Sequence, residues 1–216
     1  MQRLTFETGA FLPEDLMSTT QQRKRGHKLA TILEDSRKLM QRDGYAAFTL
    51  RKAAAEAGVP LGTLQHYFPT REVLLKTVIH QTLKQFNDEY HLIARSGGGA
   101  ADRLTQLISK ILTEVRDTET RLFMLEVAAL ANHEDFATEA LAECYQDYIG
   151  IFANLVAEIN PSLSKKESHI RAVLIVSQLE GLLVVLNSGN VSPSIDGQAL
   201  DHAVHVVVNS LSTAGS

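Results

Sequence analysis

Cysteine is almost missing from this chain: among 216 residues there is one, Cys144, with no tryptophan and only five prolines. A single cysteine excludes an intramolecular disulfide and any paired-cysteine metal or redox motif, and it predicts a reducing, cytoplasmic setting. Residues 1–17 lack the basic-then-apolar order of a secretory signal. Long apolar runs are also scarce. The richest stretches, 172–179 and 181–186, are split by Glu180 and fall short of the roughly 18 apolar residues that spanning a bilayer takes, so no membrane partner is expected. No segment alternates at period two for more than a few residues, which argues against sheet. What is present is ordinary globular composition, 44% hydrophobic and 21% charged. That is far from a disordered chain and is enough for one domain or two small ones.

The net charge of −4 hides an asymmetry: residues 1–19 carry −2, residues 20–80 carry +6, and residues 81–216 carry −8. A compact basic segment ahead of an acidic remainder is the footprint of a nucleic-acid-binding module joined to a part with another task. A solvated helix face gives the same count, and charge alone does not separate the two.

Apolar spacing and glycine or proline punctuation predict about nine helices. The first spans about 23–42 and is stopped by Gly44; a second, 50–57, follows the capping hydroxyl of Thr49 and ends at Gly58. A third runs from Pro60 to about 68, and Pro69-Thr70 introduces a long fourth helix, 71–94. After the Ser96-Gly97-Gly98-Gly99 linker come helices near 101–117, 119–131, 135–159, 165–188 and 197–212. The runs 173–176, 182–186 and 206–208 are β-branched enough for buried strands, but their apolar windows are too long and helix is preferred.

Two short helices joined by Ala57-Gly58-Val59-Pro60, braced by a longer first helix inside the basic segment, make a helix-turn-helix. Three blocks carry a family likeness: Phe48-Thr49-Leu50, Ala54-Ala55-Glu56-Ala57-Gly58-Val59, and Gly62-Thr63-Leu64-Gln65-His66-Tyr67-Phe68-Pro69-Thr70-Arg71-Glu72. With them, residues 23–76 resemble the DNA-binding domain of the TetR family of bacterial transcriptional regulators. The resemblance implies an all-α fold: a three-helix DNA-binding domain (23–70) after an N-terminal arm (1–22), then a helical ligand-sensing and dimerising domain (71–216). Beyond residue 77 only length and helical pattern match, with a faint likeness to the choline-responsive branch near 123–131 and 179–183 that identifies no ligand.

Leu64 and Phe68, four apart, must face the core with Val59, which turns Gly62, Thr63, Gln65 and His66 elsewhere. A carboxamide at Gln65 suits adenine N6 and N7 in the major groove. Gly62 allows close backbone approach or else close helix packing. His66 and Tyr67 can donate to phosphates, and Arg71, where the family usually has lysine, can neutralise one. Thr49 caps its helix, and the resemblance adds a phosphate contact there; Lys28 and Arg51 complete the candidate set. Pro60 and Leu61 depart from the family's polar pattern, so the two phosphate contacts of those positions are not implied here. Gln21-Gln22-Arg23-Lys24-Arg25 is a basic lead-in that suits either a minor groove or solvent.

In the acidic half, Phe86, Tyr90, Phe123, Met124, Val127, Tyr145, Tyr148, Phe152 and Gln178 are candidates for a small-molecule pocket, the alternative for the aromatics being ordinary core. The last two helices are apolar on more than one face, which points to a homodimer through Val173, Val176, Gly181, Leu182, Val185, Val204, Val207 and Leu211. Cys144 reads as an inert thiol, and His202 and His205 lack the further ligands of a metal site. No metal or cofactor is expected. No nucleophile triad or catalytic carboxylate pair emerges, which argues against an enzyme. The expected function is a DNA-binding transcriptional regulator, a repressor released from a palindromic operator by an unidentified small molecule. The alternative is a helical binding protein whose helix-turn-helix is only scaffold.

Overall fold

A computed structural model describes residues 19–188 and 197–213. Among these, nine helices follow one another with no strand: α1 (Thr19–Ala47), α2 (Leu50–Glu56), α3 (Leu61–Tyr67), α4 (Arg71–Ala94), α5 (Ala100–Arg116), α6 (Thr118–Leu130), α7 (Asp135–Ile159), α8 (Lys165–Asn187) and α9 (Gly197–Thr213). The all-α expectation holds, and the β-branched runs are helical.

Local chemistry sets the boundaries. The span of α1 is interrupted at Gly44, whose φ of 73° is open to glycine at little cost, and Gly58, with φ 61°, turns the chain between α2 and α3. Free amides at helix starts are met by side chains: Thr49 accepts from the Lys52 amide, Thr70 from Val73 and Asp117 from Thr120, while Ser164 and Glu167 form a reciprocal capping box on α8. One expectation needs correcting. α1 begins at Thr19 rather than near residue 23, so Gln21 to Arg25 belong to its first turns and are not an extended lead-in. The rest of the expected arm, 1–18, lies outside the described residues.

Buried side chains form two clusters. The first gathers Ile32, Leu39, Met40, Phe48, Ala53, Leu64, Phe68, Leu74 and Leu75 from α1–α4 and continues into Phe123 and Val127 of α6 and Phe136 of α7. The second fills the space between α4, α5, α7 and α8 with Leu104, Ile108, Ile111, Phe152, Leu155, Ile175 and Leu179. α4 takes part in the first through Leu74–Leu83 positions and in the second through Tyr90, and α6 likewise reaches both through Met124. By length and composition α8 is apolar enough to cross a membrane, contrary to expectation. Its inner face, however, packs Ala172, Ile175, Leu179 and Leu183 into the second cluster.

Candidate DNA-binding face and effector cavity

On α3 the four-residue spacing does what the sequence predicts: Leu64 and Phe68 are buried, while Gly62, Gln65 and His66 are exposed. A Cβ added at Gly62 would meet nothing within 4 Å, so the close-packing reading of that glycine is removed and an open approach to its backbone is left. Thr63 and Tyr67 are half-buried. The Tyr67 ring meets His66 edge-on and lies under the Arg25 guanidinium, 5.4 Å from its centroid. Thr49 and Arg51 are exposed at the start of α2, and Lys28 is half-buried on α1. Much of the neighbouring basic charge is tied up internally. Arg37 pairs with Glu34, Arg42 with Asp43 and Glu56, and Lys52 with Asp43 at 3.0 Å. Lys52 accordingly holds the Asp43 carboxyl below its ordinary range.

Arg71 is turned inward, which corrects its expected role. Its Nε donates to the Phe48 carbonyl at 2.9 Å, a terminal nitrogen donates to the Tyr45 carbonyl, and the guanidinium lies 3.9 Å from the Tyr45 ring centroid. The fork of donors satisfies carbonyls between α1 and α2 and fixes the start of α4 against them, which leaves little of it for a phosphate. Tyr45 is held from the other side too. Its amide donates to Glu126 and its hydroxyl to Glu134, while Gln41 donates to the Glu119 carbonyl at 3.0 Å. The helix-turn-helix is therefore clasped by α6 and the α6–α7 turn.

Between α4, α5, α6, α7 and α8 lies a narrow cavity of about 30 Å³, lined by Phe86, Asn87, Tyr90, Ile111, Glu114, Val115, Thr120, Met124, Cys144, Tyr145, Tyr148, Glu180 and Leu183. Of the expected pocket residues, Phe86, Tyr90, Met124, Tyr145 and Tyr148 line it. Phe123, Val127 and Phe152 do not, because they are fully buried in the two packed clusters. Gln178 is exposed on the outer side of α8. The sequence reading missed the polar lining. Glu114 takes a hydrogen bond from the Tyr90 hydroxyl at 2.5 Å and an ion pair from Lys110 at 3.1 Å, whereas Glu180, among the described residues, takes only the Tyr145 hydroxyl at 2.8 Å. Burial holds both carboxyls above their ordinary range and pushes the Cys144 thiol up to about 12, as suits an inert thiol. The same desolvation raises the three tyrosines, so their hydroxyls are neutral donors. The one acid that interrupts the apolar stretch 172–186 was the available signal for Glu180.

The expected dimer residues fall into two groups. Val173, Gly181, Val185 and Val207 are exposed and Leu182, Val204 and Leu211 half-buried, but Val176 is 4% exposed and belongs to the protomer's own core. Ile170, Leu174, Val184 and Val206, all exposed, extend the outer stripe. On α8 these positions recur at three- and four-residue intervals, one continuous helix face.

Residues 32–78 match the family model for bacterial regulatory proteins of the tetR family. The helix-turn-helix segment is thus a TetR-type DNA-binding domain. It is 24% identical over 205 residues to the transcriptional repressor KstR of Mycolicibacterium smegmatis, covering 92% of this chain and 94% of that one. A transcriptional regulator of Pseudomonas aeruginosa PAO1 superposes with a TM-score of 0.74 at 18% identity, over 90% of this chain and 92% of that one. A Saccharomonospora viridis regulator, solved in complex with choline, gives 0.72 at 16% identity, over 86% and 96%. With that domain the chain is a DNA-binding transcriptional regulator, and the relatives it resembles over most of its length are transcriptional regulators.

Proposed function

We propose that this TetR-family regulator is a cytoplasmic homodimeric repressor that leaves a palindromic operator when a small molecule enters the cavity among α4–α8. The observation that carries the reading is the position of α6. Thr120 and Met124 line the cavity, while Glu126 on the same helix accepts the Tyr45 amide at the base of the helix-turn-helix. A ligand that moves α6 thereby acts on the DNA-binding helices through packed groups rather than through a flexible linker.

DNA is met by α3, with Gln65 reading a base edge, Gly62 and Thr63 close to the backbone, and His66, Tyr67, Thr49, Arg51 and Lys28 on phosphates. The division at residue 70 separates the part that meets DNA from the part that senses, although buried packing is continuous across it. The exposed apolar stripe of α8 and α9 supports pairing with a second copy, since a monomer would leave Ile170, Leu174, Val184 and Val206 in water. Two-fold pairing places two α3 helices on half-sites about 34–36 Å or a multiple apart. Selection of bound sequences from random duplexes tests the reading. Enrichment of an inverted repeat supports it, and a chain that enriches no sequence would be a scaffold-type binding protein instead.

A further inference from the structure

We propose that the inner cavity takes a protonated organic amine, its ammonium group against the Glu180 carboxylate and its apolar body among Phe86, Tyr90, Met124 and Tyr145. The proposal rests on the ligand-released reading only for its effect at DNA.

The charge balance of the cavity is the first argument. Glu114 has Lys110 as its counter-ion, but Glu180 has no ion pair among the described residues and one hydroxyl donor. A carboxylate buried without a cation is costly, and a ligand cation removes that cost. Burial raises the Glu180 pKa, as expected for an acid lacking its partner.

An orphaned hydroxyl is the second. Tyr148 lines the cavity at 3% exposure, and its hydroxyl meets no hydrogen-bond partner among the described residues. Groups of this kind are rare in folded proteins and call for a ligand or a water. Nearby, the Asn87 side-chain carbonyl meets, among the described residues, only the Cys144 thiol, at 3.9 Å, a weak donor. Glu180, Tyr148 and Asn87 together offer three acceptors, the number an R–NH₃⁺ group requires. A quaternary ammonium has no N–H to give and would leave them unmet, and an anion would face two carboxyls. The surrounding rings add cation–π attraction.

The approach is consistent in sign. An outer groove of about 310 Å³ between α4 and α7 shares Asn87 and Cys144 with the inner cavity; its three acids, Asp88, Glu143 and Asp147, face Lys84 at 2.6 Å, His80 at 3.6 Å and His91 at 2.9 Å, which leaves the groove acidic while the imidazoles are neutral. The Asn87 side-chain amide donates to the Cys144 carbonyl at 3.0 Å, so this pair forms the partition between groove and cavity. Such a groove attracts a cation and repels an anion.

The experiment is calorimetric titration of the full chain with propyl-, hexyl- and 2-phenylethylammonium, each against its alcohol, plus phenylacetate and trimethyl(2-phenylethyl)ammonium. At least one amine should bind tenfold or more tightly than its alcohol, with phenylacetate silent. Glu180→Gln should bring that amine to within about twofold of its alcohol, and Tyr148→Phe, which keeps the ring, should weaken it several-fold. The proposal is overturned if no amine outbinds its alcohol, if the preference survives Glu180→Gln, or if the quaternary ion binds better than its primary counterpart. Selection from random duplexes, run in parallel, separates the two readings. A specific operator without amine preference sinks only the amine, and amine binding without any selected duplex sinks the regulator mechanism.

Discussion

The hydroxyl of Tyr45 donates to the Glu134 carboxylate at 2.6 Å, bridging the end of α1 and the turn between α6 and α7. With the Tyr45 amide on Glu126 and Arg71 over its ring, this one residue is gripped from three sides. Removing the hydroxyl leaves a partly hydrated carboxylate, so Tyr45→Phe should cost about 0.5–1.5 kcal/mol of stability. Its larger effect should be on coupling. Operator affinity without effector should change less than threefold, while the effector's influence on that affinity falls to a small fraction of its original factor. Operator titrations with and without effector measure both.

Arg71→Ala removes charged donors from two backbone carbonyls and should destabilise the protein by about 1.5–3 kcal/mol in urea unfolding. Because its guanidinium is committed to Phe48 and Tyr45, the salt dependence of operator binding should keep its slope. A slope reduced by about one would return Arg71 to the phosphates.

Gln65→Ala should cost about 1–3 kcal/mol at one base position per half-site and relax preference there, with little change in the salt slope. Arg51→Ala should weaken all duplexes alike and lower the slope by about one for each subunit bound. Competition against single-base operator variants over a salt series distinguishes the two patterns.

Leu174→Asp and Val184→Asp put a charge in the middle of the exposed stripe on α8. Light scattering should find folded monomers that bind single half-sites weakly. Val176→Asp places the same charge inside the protomer, where it should cost several kcal/mol and cause loss of the folded chain by circular dichroism. An unmodified protein of monomer mass at micromolar concentration contradicts the dimer.

Burial raises the carboxyls of Glu180 and Glu114 above their ordinary value of 4.5. An acid with a higher pKa folded than unfolded gains protons on folding. Its contribution is therefore full below about pH 4.5 and is lost as pH rises through the folded value. Facing Glu180 are Tyr90 of α4, Glu114 of α5, and Cys144, Tyr145 and Tyr148 of α7. The tyrosines and the thiol stay neutral over this window, leaving Glu114 as the other titrating neighbour. Glu180→Gln should thus melt higher than the parent at neutral pH, with the gap closing on acidification; thermal melts from pH 4.5 to 8 measure it.

Helix boundaries were readable because their causes are local. Pro69-Thr70 sets the start of α4 and Gly44 interrupts α1, and neither depends on distant parts of the chain. The orientation of α3 was readable for the same reason, since Leu64 and Phe68 set it by spacing alone. Arg71 was misjudged because its partners, the carbonyls of Tyr45 and Phe48, are brought beside it only by the fold. α8 defeated periodicity differently. It is apolar on its core face and on its outer face, so spacing could not tell that Val176 points inward and Gln178 outward. Glu180 had been legible only as an interruption of an apolar run, when its placement inside the cavity is what matters.

The narrowness of the cavity, about 30 Å³, has a consequence for the dose of the proposed effector. An effector larger than a water or two must wait for side chains such as Met124 to withdraw, and its measured affinity is its affinity for the open form multiplied by the fraction of molecules in that form. The threshold concentration for induction is therefore set partly by how seldom the empty protein opens, independently of how well the effector fits. For the amine effector proposed above, so narrow a cavity would keep stray metabolites of suitable charge from relieving repression until their concentration had risen well beyond background.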